Sequence, residues 1–512
     1  MSDTVDIGEL LRERFARFRD LPALWLEGQS ISYAELFSDA AELASRIANV
    51  TAPGDRIGLL AQRSYPAYVG ILASALSGRP YVPVNMKFPF ERQVSIVSIA
   101  QCRLLITDRV SKARGPELIQ AVGLSLSEIA VPEHSMRVST GFQGKDFTGS
   151  GAAPAYIMFT SGTTGTPKGV AVRRENLSAY LSAIEKIAPI DPETRCTQLF
   201  DLSFDLSVHD VFQTWTSGGC LFIASNDEML DPVGFAKRHA LQAWFSVPSV
   251  VAMAKRFRRL QPDILPEMRV SLFCGEPLPV SVANDWAKAA PNSRIWNLYG
   301  PTEATIAITA EEFTPAPQDD DRPASVPLGL PFHGSAVEVV GEDGRPAQLG
   351  ELWLGGAQIS NGYINNEDEN RAKFVNRTLD GQLYNRWYRT GDLVRRDERY
   401  GLVFQGRMDG QAKIQGYRVE LLEIEEALRQ ASGSAEVAAV LWPVSDTGAA
   451  EGVVGFVCAP TNSEKEIVDL CRTRLPIYAA PKKIITVENL PLNANGKVDR
   501  NALRDTYLRK PS

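Results

Sequence analysis

The sequence predicts an α/β fold: a large N-terminal region of mixed, mostly parallel sheets flanked by helices, followed by a smaller α+β unit. Three observations predict it. Strand-like and helix-like apolar patterns alternate between about residues 218 and 300, short strands with glycine turns replace them after residue 327, and a second alternating set begins after the charged segment Arg407–Gly410.

Taken in order, the stretch from Ile31 to about Asp108 already alternates in this way. Cys220–Ala224 then reads as a strand, Pro232–His239 as a helix, Ala243–Val247 as a strand and Val250–Arg258 as a helix. Val270–Cys274 follows as a strand, Val280–Ala289 as a helix stopped by Pro291, and Arg294–Leu298 as a strand. Ligands of such sheets bind beyond the carboxyl ends of the strands. The rule selects Ser246-Val247, Cys274-Gly275-Glu276 and Tyr299–Glu303 as three loops that converge. Phe313–Pro327, rich in Pro and Asp, reads as a loop. In the last unit we expect a strand over Lys413–Val419, a helix over Leu421–Ala431, strands near 436–442 and 453–458, a helix near 464–474, and an Asn495-Gly496 turn.

Composition narrows the function. The chain has 512 residues, enough for two to four domains, with 44% hydrophobic and 22% charged residues, as in ordinary globular proteins. A net charge of −7 argues against a general nucleic-acid binder. The end of the chain is locally basic, with Lys482, Lys483, Lys497, Arg500, Arg504, Arg509 and Lys510 set against Glu488, Asp499 and Asp505, and suits an acidic partner. The six cysteines show no C-x-x-C spacing, so neither a zinc site nor a disulfide framework is suggested. No basic leader precedes an apolar run and no apolar stretch approaches the roughly 20 residues that span a bilayer, so we expect a cytoplasmic protein with no membrane partner.

The most informative segment is Phe159–Gly169, Phe-Thr-Ser-Gly-Thr-Thr-Gly-Thr-Pro-Lys-Gly. Its glycines permit close backbone approach to a ligand, its hydroxyls donate hydrogen bonds, and Lys168 adds charge, as a polyphosphate requires. It is not a Walker loop, because Pro167 precedes the lysine and the β-branched and small residues Val170-Ala171-Val172 lead into a strand instead of a helix. A solvated surface loop has the same composition.

With the segments downstream, the order of motifs resembles that of the adenylate-forming superfamily, which comprises acyl-CoA synthetases, luciferases and amino-acid adenylation domains. The resemblance runs over essentially the whole chain. Phe159–Gly169 looks like its phosphate loop, Phe204-Asp205-Leu206-Ser207 like its substrate-helix start, and Tyr299-Gly300-Pro301-Thr302-Glu303 like its Tyr-Gly-Pro-Thr-Glu segment. Tyr388–Asp392 looks like the ribose segment, Gly406–Asp409 the hinge, Lys413–Glu420 the first C-terminal motif, and Asn495-Gly496-Lys497 the catalytic lysine. Each is weak alone; seven in order are specific.

The resemblance implies ATP and Mg²⁺, a small barrel-like β region, and a mobile C-terminal domain (409–512) that turns about Asp409 against a core (1–408). It implies a two-step reaction: a carboxylic acid and ATP give an acyl-adenylate and pyrophosphate, and a thiol then displaces AMP. Anion meets anion at the α-phosphate, so catalysis of this kind is mostly electrostatic. By position, Lys497 bridges the carboxylate and α-phosphate, Glu303 binds the metal, Thr302 contacts phosphate, and Thr160, Ser161, Gly162, Thr163, Thr164 and Lys168 hold the β- and γ-phosphates. Tyr299 stacks on adenine with Gly275, Glu276, Asn297 and Gly300 beside it, while Asp392 and Arg407 take the ribose. For the thioester step Lys497 leaves and the face carrying Lys413 and Gly416 enters.

Asp205 bears on the substrate. A helix beginning at Phe204-Asp205 places Asp205 and His209 on one face, although an N-cap accounts for an Asp here without any ligand. In the amino-acid-activating branch this Asp pairs with the substrate ammonium, and burying it unpaired costs several kcal/mol, on the order of a lone buried charge. The nearest likeness is to free-standing amino-acid adenylating enzymes such as D-alanine–carrier protein ligases. Carried over, the side-chain pocket comprises Leu206, His209, Ser246, Leu272, Cys274, Leu298, Ile306 and Ala307. His209 and Leu298 depart from the smaller or unbranched residues of a D-alanine enzyme; His209 shrinks the pocket, donates to a polar substrate, or is satisfied by its helix neighbours. We expect a small neutral amino acid, alanine first, and a separate acidic carrier protein bearing phosphopantetheine, since no carrier-like segment follows Lys497. The rival readings are an acyl- or aryl-CoA ligase and a non-catalytic nucleotide-binding regulator.

Overall fold

The computed structural model describes residues 6–123, 127–131, 151–161, 166–315, 323–379, 382–408, 411–414, 416–444, 450–491 and 498–508. Two sheets dominate the larger, N-terminal part. One has six strands in the order Ser127–Ala130, Cys102–Thr107, Arg56–Leu60, Tyr81–Pro83, Pro154–Thr160 and Lys168–Arg173, parallel except for the last pair. The other has nine, and its centre, Arg294–Tyr299, Val270–Phe273, Ala243–Ser246, Arg195–Gln198 and Cys220–Ile223, is parallel throughout. The alternation read from the sequence is this central run.

A single apolar core joins the two sheets, with Leu59 and Met158 from one and Leu221 and Leu272 from the other. Helix Tyr65–Ser77 is buried along its whole length and helix Leu206–Ser217 as far as Trp215. Helices without a solvent face lie inside a core, which is why neither shows an amphipathic stripe in the sequence. By contrast, helix Tyr33–Val50 has a polar side and starts with a capping box in which Ser32 and Glu35 satisfy each other's backbone N–H groups.

Five antiparallel strands, Ser335–Val340, Leu349–Gly356, Phe374–Asn376, Arg386–Asp397 and Gly401–Arg407, form the short-stranded β region. The smaller C-terminal part has its own core around Ile424, Leu428, Val453 and Ile484. It is built from helix Leu421–Ser432, strands Val437–Leu441, Val453–Cys458 and Lys483–Val487, and helix Glu464–Arg472.

One expected element differs. Lys413–Val419 is not one strand but a hairpin, Gln411–Ile414 paired with Tyr417–Glu420. The chain reverses at Gly416, whose φ of +83° a residue with a side chain rarely adopts. A Cβ there would also lie 2.4 Å from Cγ1 of Val247. The hairpin tip therefore rests on the core.

Candidate active site

A cleft opens at the carboxyl ends of the parallel strands, as predicted. Two of the three loops supply its floor, through Cys274, Gly275, Tyr299, Gly300 and Thr302. Phe204, Asp205 and Leu206 form a second wall, Asp392 and Arg407 a third, and Lys413, Gly416 and Arg418 of the hairpin close it. The remaining loop, at Val247, packs against Gly275 and Gly416 behind that wall.

At one end, Asp392 accepts hydrogen bonds from the Tyr299 hydroxyl at 2.5 Å and from Arg407 at 2.7 Å. Burial and the neighbouring Asp392 carboxylate push the Tyr299 hydroxyl far above its ordinary pKa, so it stays a donor. An aromatic ring, an anchored carboxylate and a guanidinium side by side suit a nucleoside. Gly300 allows the tight approach of chain at this end: a Cβ there would lie 2.6 Å from Cα of Ala307.

At the other end, Asp205 immediately precedes helix Leu206–Ser217 but makes no side-chain cap, which removes the capping account of this residue. It is 4% exposed, and one carboxylate oxygen has no hydrogen-bond partner among the described residues. Burial raises its pKa to about 7, against the lowering effects of a Thr302 hydrogen bond and the Lys413 ammonium. A buried carboxylate with an open lone pair is a receptor for a cation.

Behind this wall lies a smaller cavity lined by His209, Asp210, Gln213 and Leu272. His209 lies with Nδ1 2.7 Å from the Tyr180 hydroxyl, and burial lowers its pKa to about 3, so the ring is neutral. Its polar partner comes from another helix, not from its own helix neighbours. Ser246 is also engaged locally: it accepts from the Trp244 indole at 2.8 Å and donates to the Val247 carbonyl at 3.0 Å. Leu298, Ile306 and Ala307 are buried in the central core with Leu206.

Several residues assigned by resemblance lie off the cleft wall. Asn297 donates to the carbonyls of Val326 and Pro327, at 3.1 and 2.7 Å, and so ties its strand to the next segment. Glu276 accepts from the Ser249 amide and hydroxyl at 2.9 and 3.1 Å, and from the Gly416 amide. It thereby docks the hairpin tip. Thr160 ends its strand at the phosphate segment, and Ser161 donates to the Arg418 carbonyl at 2.7 Å. Lys168, 7% exposed, pairs with Glu369 at 2.7 Å. Gly162, Thr163, Thr164, Asp409 and Lys497 lie outside the described residues.

Glu303 is fully buried, and both of its oxygens lie 2.9 Å from one nitrogen of Arg418; one of them also accepts from Tyr363 at 2.5 Å. Burial alone would raise its pKa, but the guanidinium and the hydroxyl bring it below the ordinary value. The single carboxylate, beside the phosphate segment through Ser161 and Arg418, suits a hard cation shared with phosphate oxygens. Arg418, Tyr363 and Glu369 were not singled out in the sequence. Arg418 stood within the hairpin motif, yet only the fold brings it to Glu303, 115 residues earlier.

The residues and their arrangement agree with the comparisons to known proteins. The profile of the AMP-binding enzyme family matches residues 11–364, and that of the AMP-binding enzyme C-terminal domain matches 423–497. A D-alanine–D-alanyl carrier protein ligase of Bacillus velezensis is 32% identical over 499 residues, covering 94% of this chain and 95% of its own length. Novobiocin biosynthesis protein H of Streptomyces niveus is 32% identical over 516 residues, covering 97% and 82%. Among solved structures, the Vibrio cholerae adenylation domain AlmE, in complex with glycyl-adenosine-5'-phosphate, superposes with a TM-score of 0.86 at 31% identity, covering 98% of this chain and 97% of that one. Holo-PA1221, with adenylation and PCP domains, gives 0.82 at 27%, covering 100% and 87%. The chain is an adenylate-forming protein. It belongs to the AMP-binding enzyme family, with an architecture that matches adenylation domains.

Proposed function

We propose that this protein is an AMP-forming ligase that activates a small neutral amino acid, alanine first, as its adenylate and passes it to the phosphopantetheine thiol of a separate carrier protein. The observation that carries the reading is Asp205: a buried carboxylate with one oxygen unpartnered among the described residues, in the same cleft as the Tyr299–Asp392–Arg407 cluster. A substrate with an α-ammonium completes its pairing; an acyl chain would leave it buried against carbon at a cost of several kcal/mol, on the order of an unpaired buried charge. This favours an amino acid over the acids of a CoA ligase. The Bacillus carrier protein ligases support a carrier as acceptor.

Within this reading Asp205 orients the amino acid, Tyr299, Asp392 and Arg407 fix the nucleoside, and Lys168 and Thr302 meet phosphate oxygens. Mg²⁺ bound by Glu303 would offset negative charge on ATP. Lys497, from the C-terminal unit, draws the carboxylate and α-phosphate together, and the exchange of Lys497 for Lys413 and Gly416 is a rotation of 409–512 against 1–408 about Asp409. The hairpin lining the cleft supports, within this reading, an arrangement suited to thiol attack. Neutral His209, held by Tyr180, admits uncharged side chains. A reducing, cytoplasmic setting belongs to the same reading, since all six cysteines are free and buried.

Pyrophosphate exchange across the small D- and L-amino acids and a few β-amino acids tests it, with carrier loading followed by mass. Alanine should drive exchange and load a carrier; exchange with none of alanine, serine and glycine would remove the substrate assignment.

A further inference from the structure

Lys168 opens strand Lys168–Arg173 at the end of the phosphate segment, and its backbone pairs with Thr160 at the segment's start. Glu369, 201 residues further on in the short helix Glu367–Lys373, holds its ammonium at 2.7 Å. The backbone fixes both ends of this pair. Ile364 donates its amide to the Gly169 carbonyl at 2.9 Å, and Ala171 its amide to the Gly362 carbonyl at 3.2 Å, so the chain before the helix is bound to the lysine's own strand. Asn370 then clasps Tyr363, accepting from its amide at 2.7 Å and donating to its carbonyl at 2.8 Å, while Asn366 accepts from the Glu369 amide at 3.2 Å. The Lys168 ammonium also lies 5.7 Å from the centre of the Tyr363 ring.

The lysine of the phosphate segment therefore already faces a fixed anion. Its side chain is 7% exposed and that of Glu369 21%, so little water screens the pair. A phosphate oxygen and a carboxylate on one ammonium repel each other at such distances, and each weakens the other's hold. Resting on the reading of Lys168 as a ligand of the β- and γ-phosphates, we propose that Glu369 is a resident competitor for Lys168, a positioning residue that lowers the affinity of the site for ATP and for pyrophosphate and recaptures the lysine as pyrophosphate leaves.

Competition of this kind acts on substrate and product phosphates alike, so it sets KM for ATP and not the rate of the chemical step. Its use lies after that step. A lysine without an opposing carboxylate would grip pyrophosphate and favour return of the adenylate to ATP; Glu369 opposes that return.

The test uses the full chain, with Mg²⁺–pyrophosphate as the probe and calorimetry as the readout. Glu369→Gln, which keeps the shape and removes the charge, should bind the probe about tenfold tighter, within the usual range of coupling between two binding events. KM for ATP should fall by a similar factor while kcat does not rise. The expected change is a gain, which misfolding cannot mimic, and Glu369→Asp should lie between the two. Lys168→Met should weaken binding of the probe, and in that background Glu369→Gln should add less than about twofold, because the carboxylate acts through the lysine. Glu367→Gln, at an exposed position of the same helix, should also stay within about twofold of the unaltered chain. Weaker or unchanged binding by Glu369→Gln, or an equal gain in the Lys168→Met background, would overturn the proposal. Alanine-driven exchange in the same preparation separates the failures: exchange with an unmoved probe affinity sinks only this competition, and no exchange with any amino acid sinks the underlying reading.

Discussion

Two buried carboxylates in this molecule, Asp205 and Glu303, are treated in opposite ways. Glu303 has both oxygens paired and its pKa lowered; Asp205 has one oxygen unpartnered and its pKa raised to about 7. They stand on neighbouring walls of one region, linked by Thr302, which precedes Glu303 and hydrogen-bonds Asp205. Burial alone therefore does not define a functional carboxylate. What differs is how closely the fold supplies the counter-charge, and at Asp205 we propose that a ligand's ammonium completes it.

The largest effect is expected at Glu303. Glu303→Gln removes the charge proposed to bind metal and strands Arg418, so pyrophosphate exchange should fall by about a hundredfold to a thousandfold, as for loss of one strong electrostatic group. Initial rates over a Mg²⁺ series check this. Next, Asp205→Ala should lower amino-acid-driven exchange by about a hundredfold, as for truncating one partner of a buried charge pair. The same site should show the opposite sign in stability. With the folded pKa raised above the unfolded value, Asp205 holds a proton in the fold that the unfolded chain releases, so its penalty grows as pH rises from about 4 to about 7. Asp205→Asn should accordingly raise the melting temperature at pH 8, and the gain should shrink below pH 6; calorimetry at the two pH values decides it.

In the free enzyme, kcat/KM for the amino acid should drop about tenfold per pH unit below about 7, because protonated Asp205 no longer attracts an ammonium. Asp205→Asn should flatten this limb. Smallest of all, Tyr180→Phe removes the hydroxyl beside His209 and should change the serine-to-alanine exchange ratio severalfold, the scale of one buried hydrogen bond.

Much of this site was legible in the sequence, for physical reasons. Loops after parallel strands converge by topology, so Cys274-Gly275 and Tyr299–Thr302 were placed by counting strands alone. Asp205 was legible only through the resemblance to the amino-acid-activating branch, because the local pattern fits an N-cap equally well and only the fold shows that it makes no cap. The hairpin was misread as one strand because Tyr417 and Val419 keep a strand-like pattern through Gly416; only its contact with Val247 reveals a turn pressed on the core. Partners brought from far along the chain were not legible. Glu369 for Lys168, Tyr180 for His209 and Arg418 for Glu303 each depend on packing that no local pattern encodes.

The most direct measurement compares alanine with propionate, its counterpart lacking only the ammonium, in pyrophosphate exchange by the unaltered chain. We expect exchange with alanine at least about a hundredfold above that with propionate, and a ratio that collapses in Asp205→Ala. Equal exchange with the two acids, or a ratio untouched by the substitution, would contradict it.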